Sequence, residues 1–169
     1  YMSALDLLEN LPLQPKTKDK ILRKQGRIYL YIATIHKNQG NLDQAFELYQ
    51  KNLSISEQLE DPIEIADALS GLGLLYELEG NYEMALVYGM KSLDLYKNHR
   101  DTLGIARTHH NIGNVYLKEG KDSIALAMYE QSLVDYESLS DLTIRPVTYT
   151  NMGLIYERQD RLDHAYELL

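Results

Sequence analysis

Residues 105–136 read IARTHHNIGNVYLKEGKDSIALAMYEQSLVDY, and the spacing within this stretch decides the fold. Over Ile105–Glu119 apolar or small residues recur at three- and four-residue steps: Ala106, His109, Ile112, Gly113 and Tyr116. Over Ser123–Tyr136 the series is Ala125, Met128, Tyr129, Ser132, Leu133 and Tyr136. Residues three and four apart share one face of an α-helix, whereas a half-buried strand would alternate. Between the runs stands Glu119-Gly120, and glycine accepts the left-handed backbone that ends a helix. The stretch is two helices joined by a tight turn.

The same arrangement recurs along the chain. Gly40-Asn41, Gly80-Asn81, Gly120-Lys121 and Asp160-Arg161 fall 40 residues apart. Upstream come Ala33, Gly73, Gly113 and Gly153, then His36, Tyr76, Tyr116 and Tyr156. Downstream come Ala45, Ala85, Ala125 and Ala165, then Leu53, Leu93 and Leu133. A fixed period of this size means stacked two-helix units, each of which buries its apolar face against its neighbours. Asp61-Pro62 marks a helix start, with a capping carboxylate before proline in the first turn, and Asp101 and Asp141 hold the equivalent place. Glycine inside a helix costs up to about 1 kcal/mol against alanine. Its recurrence at Gly73, Gly113 and Gly153 therefore implies close approach of the paired helix at Ala85, Ala125 and Ala165.

Composition agrees with one folded array. The 169 residues are 44% hydrophobic and 25% charged, with four prolines, ten glycines and 14 tyrosines against one phenylalanine and no tryptophan. That is too apolar for a disordered chain. Of the net charge of −8, residues 1–28 contribute +3 and the remainder −11. An acidic body repels a phosphate backbone, so this segment is not expected to bind nucleic acid. Cysteine is absent, which excludes disulfides and thiolate chemistry. No apolar run approaches the roughly 20 residues of a membrane span, and no signal peptide is visible. A cytoplasmic setting is preferred, with a periplasmic sensor region as the alternative.

Small-x-x-Tyr in one helix followed by Ala-x-x-x-Tyr in the next resembles the tetratricopeptide repeat. Tyr29, Leu69, His109 and Tyr149 match its first aromatic slot, and Ile32, Leu72, Ile112 and Met152 its leucine slot. The usual unit is about 34 residues; the 40 here imply longer helices, a form similar to that of kinesin light chains, the adaptor LGN and bacterial repeat-containing regulators. The resemblance implies an all-α, right-handed superhelical solenoid of antiparallel helix pairs. Residues 17–58, 62–98, 102–138 and 142–169 would form four repeats, the last truncated. Residues 1–12 would be the second helix of a preceding unit, making the chain an excerpt with open ends.

Departures from the pattern carry expectations of their own. The slot that holds Tyr49 and Tyr129 has Gly89 between them, leaving a gap for Tyr88 or Met90 to fill. Pro146 lies about a turn inside the fourth unit's first helix, so that helix should start late or kink.

No enzyme motif is present: no nucleotide-binding glycine loop, no Gly-x-Ser-x-Gly elbow, no His-Glu-x-x-His. His109-His110 is a poor metal pair, because adjacent residues on a helix point about 100° apart; His109 falls in a core slot. Neither a catalytic residue, a metal nor a cofactor is expected.

In the family the first helices line a concave groove. Carried over, the resemblance implies groove positions at Arg27, Leu30, Thr34 and Lys37, then Asp67, Ser70, Leu74 and Glu77. It implies further positions at Arg107, His110, Asn114 and Leu117, then Val147, Thr150, Leu154 and Glu157. Asn111 and Asn151 occupy the slot from which family members bond a bound peptide's backbone. An amide suits this because it both donates and accepts. The alternative is that these amides bond only within the fold, which is preferred for Asn111 and left open for Asn151. A co-chaperone-type carboxylate clamp is disfavoured, since Leu30 and Thr34 stand where its lysine and asparagine would be.

The expected function is recognition of a peptide or helix of a protein partner, in the regulatory region of a larger bacterial signalling or transcription-regulatory protein. A eukaryotic-type adaptor, or a structural spacer that self-associates through its open ends, are the alternatives.

Overall fold

The computed structural model describes residues 14–137, 139, 145–161 and 163. Among them are seven α-helices: α1 (Pro15–Asn38), α2 (Leu42–Gln58), α3 (Pro62–Leu78), α4 (Tyr82–His99), α5 (Thr102–Lys118), α6 (Asp122–Glu137) and α7 (Arg145–Arg158). The segment 1–12, Asp141, residue 162 and residues 164–169, with Ala165, lie outside the described residues.

The turns follow from the residues that punctuate them. Gly40, Gly80 and Gly120 have φ of +79°, +78° and +73°, and a hydrogen bond back to the helix closes each turn. Asn41 N donates to His36 O at 2.9 Å, Asn81 N to Tyr76 O at 2.8 Å and Lys121 N to Tyr116 O at 2.9 Å. This is the six-residue closure expected where a helix ends in left-handed backbone. Asp160 takes the fourth place with φ +58°. Starts are capped as expected: Asp61 accepts from Glu64 N at 3.2 Å and Asp101 from Gly104 N at 2.9 Å. Helix α7 begins at Arg145, which puts Pro146 in its first turn, where its missing N–H costs nothing.

Each helix packs on the next in the chain, and α1, α3, α5 and α7 also touch in sequence, so the chain is an all-helical solenoid. The buried face of each unit reaches into the following one. Ala33, Ala45, Tyr49, Leu72 and Leu75 form one core cluster; Ala125, Tyr129, Met152 and Ile155 form another. Tyr49 and Tyr129 are the keystones. A β-carbon on Gly71 would stand 2.3 Å from the Tyr49 ring, and one on Gly113 would stand 2.7 Å from the Tyr129 ring. The gap at Gly89 is met from the next repeat: a β-carbon there would lie 3.2 Å from Ile112 Cγ1. Neither expected filler takes that place, since Tyr88 stacks on Tyr76 at 5.3 Å and Met90 is exposed. His109 is buried as expected, its Nδ1 donating to Asp135 Oδ2 at 2.7 Å.

Candidate functional site

Between the first helices α1, α3 and α5 runs a cleft of about 450 Å3. The rings of Tyr49 and Tyr96 reach its back wall, and Gly71 and Gly104 on that wall leave room for them. Apolar surface comes from Leu30 and Tyr31 on α1, Leu74 on α3 and Leu103 on α5. Charge lies toward the two ends: Asp67, Asp101 and Arg107 near the start of the helices, Lys37 near the close of α1.

Tyr96 Oη donates to Asp67 Oδ1 at 2.6 Å. Burial, then the neighbouring Asp67 carboxylate, push the phenol pKa far up, so the hydroxyl keeps its proton. Burial also raises the Asp67 pKa, and the Tyr96 hydrogen bond pulls against it. At the other end burial lowers the Lys37 pKa, with Glu77 opposing. Glu77 itself is buried and pairs with Lys118 Nζ at 2.9 Å. Two polar side chains on the wall, Ser70 and Asn111, have no hydrogen-bond partner among the described residues.

The family model for the tetratricopeptide repeat matches residues 24–98 and again, one period on, residues 64–138. The chain belongs to the tetratricopeptide repeat family. Among solved structures, BtubC (BKLC) from P. vanneervenii is similar over 96% of this chain, at 21% identity and a TM-score of 0.75. Aspartyl phosphate phosphatase F from Bacillus subtilis matches over 90% of this chain, at 15% identity and a TM-score of 0.81. The chain spans 65% and 42% of the length of these two proteins. MamA matches over 99% of this chain and 91% of its own, at 20% identity and a TM-score of 0.61. At such identities the likeness concerns the fold. A search of curated proteins gave no match. Tetratricopeptide arrays are protein–protein interaction scaffolds and in general not enzymes.

Within this tetratricopeptide array the expected groove residues separate into distinct groups. Ser70, Leu74, Arg107 and Asn111 line the cleft, together with Leu30, Thr34, Lys37 and Asp67. His110 does not. It is buried, its Nδ1 2.9 Å from Thr148 Oγ1 and its ring 5.5 Å from that of Tyr129, and burial lowers its pKa to about 4. Asn114 and Asn151 are committed to one another: Asn114 Oδ1 accepts from Asn151 Nδ2 at 2.9 Å and from Tyr129 Oη at 2.8 Å. Asn151, for which both readings were open, is bonded to Asn114 inside the fold, while Asn111, for which bonding within the fold was preferred, has no hydrogen-bond partner among the described residues. Thr150 and Leu154 are exposed on α7, away from the cleft, and Thr150 Oγ1 donates to Pro146 O at 2.8 Å. Gly71 and Gly104 were not among the expected residues; each lies under a tyrosine ring from the preceding repeat.

Proposed function

We propose that this chain is the peptide-recognition segment of a larger regulatory protein, of the bacterial signalling or transcription-regulatory kind, and seats an extended peptide of its protein partner in the cleft of α1, α3 and α5. The observation that carries this is the pair of uncommitted polar side chains, Ser70 and Asn111, set among Leu30, Tyr31 and Leu74. The apolar groups supply contact area, while the Asn111 amide can satisfy a peptide N–H and C=O together. Peptides selected from a random displayed library on the purified chain test this. Enriched peptides are expected to bind the native chain and to lose binding to Leu74→Arg, which places a long cation across the cleft without breaking α3. An unenriched library, or peptides indifferent to Leu74→Arg, would refute the cleft as the binding surface.

A further inference from the structure

The junction between the second and third repeats differs from its neighbours in two coupled ways. At the first junction the Tyr49 hydroxyl lies 3.1 Å from Thr34 Oγ1, and at the third Tyr129 Oη donates to Asn114 Oδ1. Gly89 stands in the tyrosine's place at the second. Leu74 there replaces Thr34 and Asn114, so the polar group that would hold a phenol is gone as well. Asn111 stands where the first junction has Gly71, under the Tyr49 ring, and the third has Asn151, beside the Tyr129 hydroxyl. Loss of the ring and loss of its partner belong together.

What remains is a notch of about 10 Å3, room for one water molecule or one methyl group. Gly73, Ala85, Gly89, Ile112 and Val115 give it an apolar floor, and the buried Glu77 also lines it. Ser70, Leu74, Thr108 and Asn111 form its rim and also line the cleft, so notch and cleft are continuous. The Thr108 hydroxyl is already given to Gly104 O at 2.8 Å, whereas Ser70 and Asn111 have no hydrogen-bond partner among the described residues.

Resting on the cleft as a peptide seat, we propose that this notch is its anchor subsite and takes one ligand residue with an alanine- or serine-sized side chain. A methyl group fills the apolar floor, and a serine hydroxyl meets Ser70 or Asn111 at the rim. A branched side chain exceeds a notch of about 10 Å3, whose wall includes the close backbone approach of Gly73 to Ala85 and Gly89. The notch therefore selects by exclusion, at one position of the peptide.

The test takes peptides enriched on the native chain and replaces each position in turn by Gly, Ala, Ser, Val and Leu, with affinity read by fluorescence polarisation. One position is expected to accept Ala or Ser and to lose about tenfold or more with Leu, the usual scale for an ill-fitting side chain in a closed pocket. Gly89→Tyr, which restores the ring of the other junctions, is expected to weaken the parent peptide by a similar factor, with the helical circular dichroism retained. Peptides sensitive to Leu74→Arg that show no size-restricted position overturn the notch and leave the cleft standing; that is the result for a notch holding only water. Equal affinity for a folded Gly89→Tyr variant overturns it too. Failure to enrich any peptide, or indifference to Leu74→Arg, overturns the cleft and the notch with it. The scan on the native chain decides even where Gly89→Tyr does not fold.

Discussion

Replacing Gly71 by alanine pits two effects of opposite sign against each other in the middle of α3. Alanine favours a helix interior by about 1 kcal/mol over glycine, and at an open position that gain would be realised. Here the new β-carbon would stand 2.3 Å from Tyr49 Cε1, against an ordinary carbon–carbon contact of about 3.5–4.0 Å. The ring would have to shift by more than about 1 Å. Its neighbours resist that shift: Tyr49 is 2% exposed, its hydroxyl is on Thr34, and Ala33, Leu72 and Leu75 pack around it. Overpacking of this kind costs about 1–3 kcal/mol and occasionally more. Net destabilisation of about 1–2 kcal/mol is expected, a fall of roughly 2–4 °C in Tm for each kcal/mol. Urea denaturation followed by circular dichroism measures it. In a Tyr49→Leu background, where the ring is gone, Gly71→Ala should instead stabilise by about 0.5–1 kcal/mol. Stabilisation by Gly71→Ala in the native background would mean that no ring lies on that glycine.

Three further outcomes follow from the structure. Buried His110 has its pKa lowered from 6.5 to about 4, so the unfolded chain binds the extra proton between these values. Its contribution is whole above pH 6.5 and lost as pH falls toward 4, a decline of about 3 kcal/mol that His110→Asn should flatten in denaturation curves measured at successive pH values. Asn114→Ala removes the acceptor of two hydrogen bonds and should cost about 1–3 kcal/mol; adding Asn151→Ala should cost less than the sum of the singles, and strict additivity would show that the network does not exist. Asp101→Ala should cost about 1 kcal/mol through loss of its cap, whereas Asn41→Ala, whose side chain caps no backbone N–H, should stay within about 0.5 kcal/mol; equal effects in thermal melts would contradict the cap assignment.

Features that recur within one unit were legible in the chain. The glycine turns, the capping aspartates, the close approach at Gly73 and Gly113 and the buried alanines all repeat at the register that the residues display. What the sequence did not reveal depends on a side chain from a neighbouring unit. Gly104 looks like an ordinary helix-start residue until the Tyr96 ring is placed on it. His110 occupies a groove position by its place in the repeat, yet it is buried against Thr148 from α7 and the Tyr129 ring from α6. Asn111 and Asn151 occupy the same slot, yet one is uncommitted and the other bonded. The cause sits in the preceding repeat, where Gly89 offers nothing and Tyr129 lies near the Asn114–Asn151 bond.

The tyrosine on Gly104 also has a mechanical side. Where the second repeat meets the third, Tyr96 pins α4 to α5 through its ring and to α3 through its hydroxyl, all toward one end of the first helices. Toward the other end, at Gly89, no ring crosses. Tyr96 thus carries the contacts between these repeats at that end, while at Gly89 the contact is made by Ile112 from the next repeat.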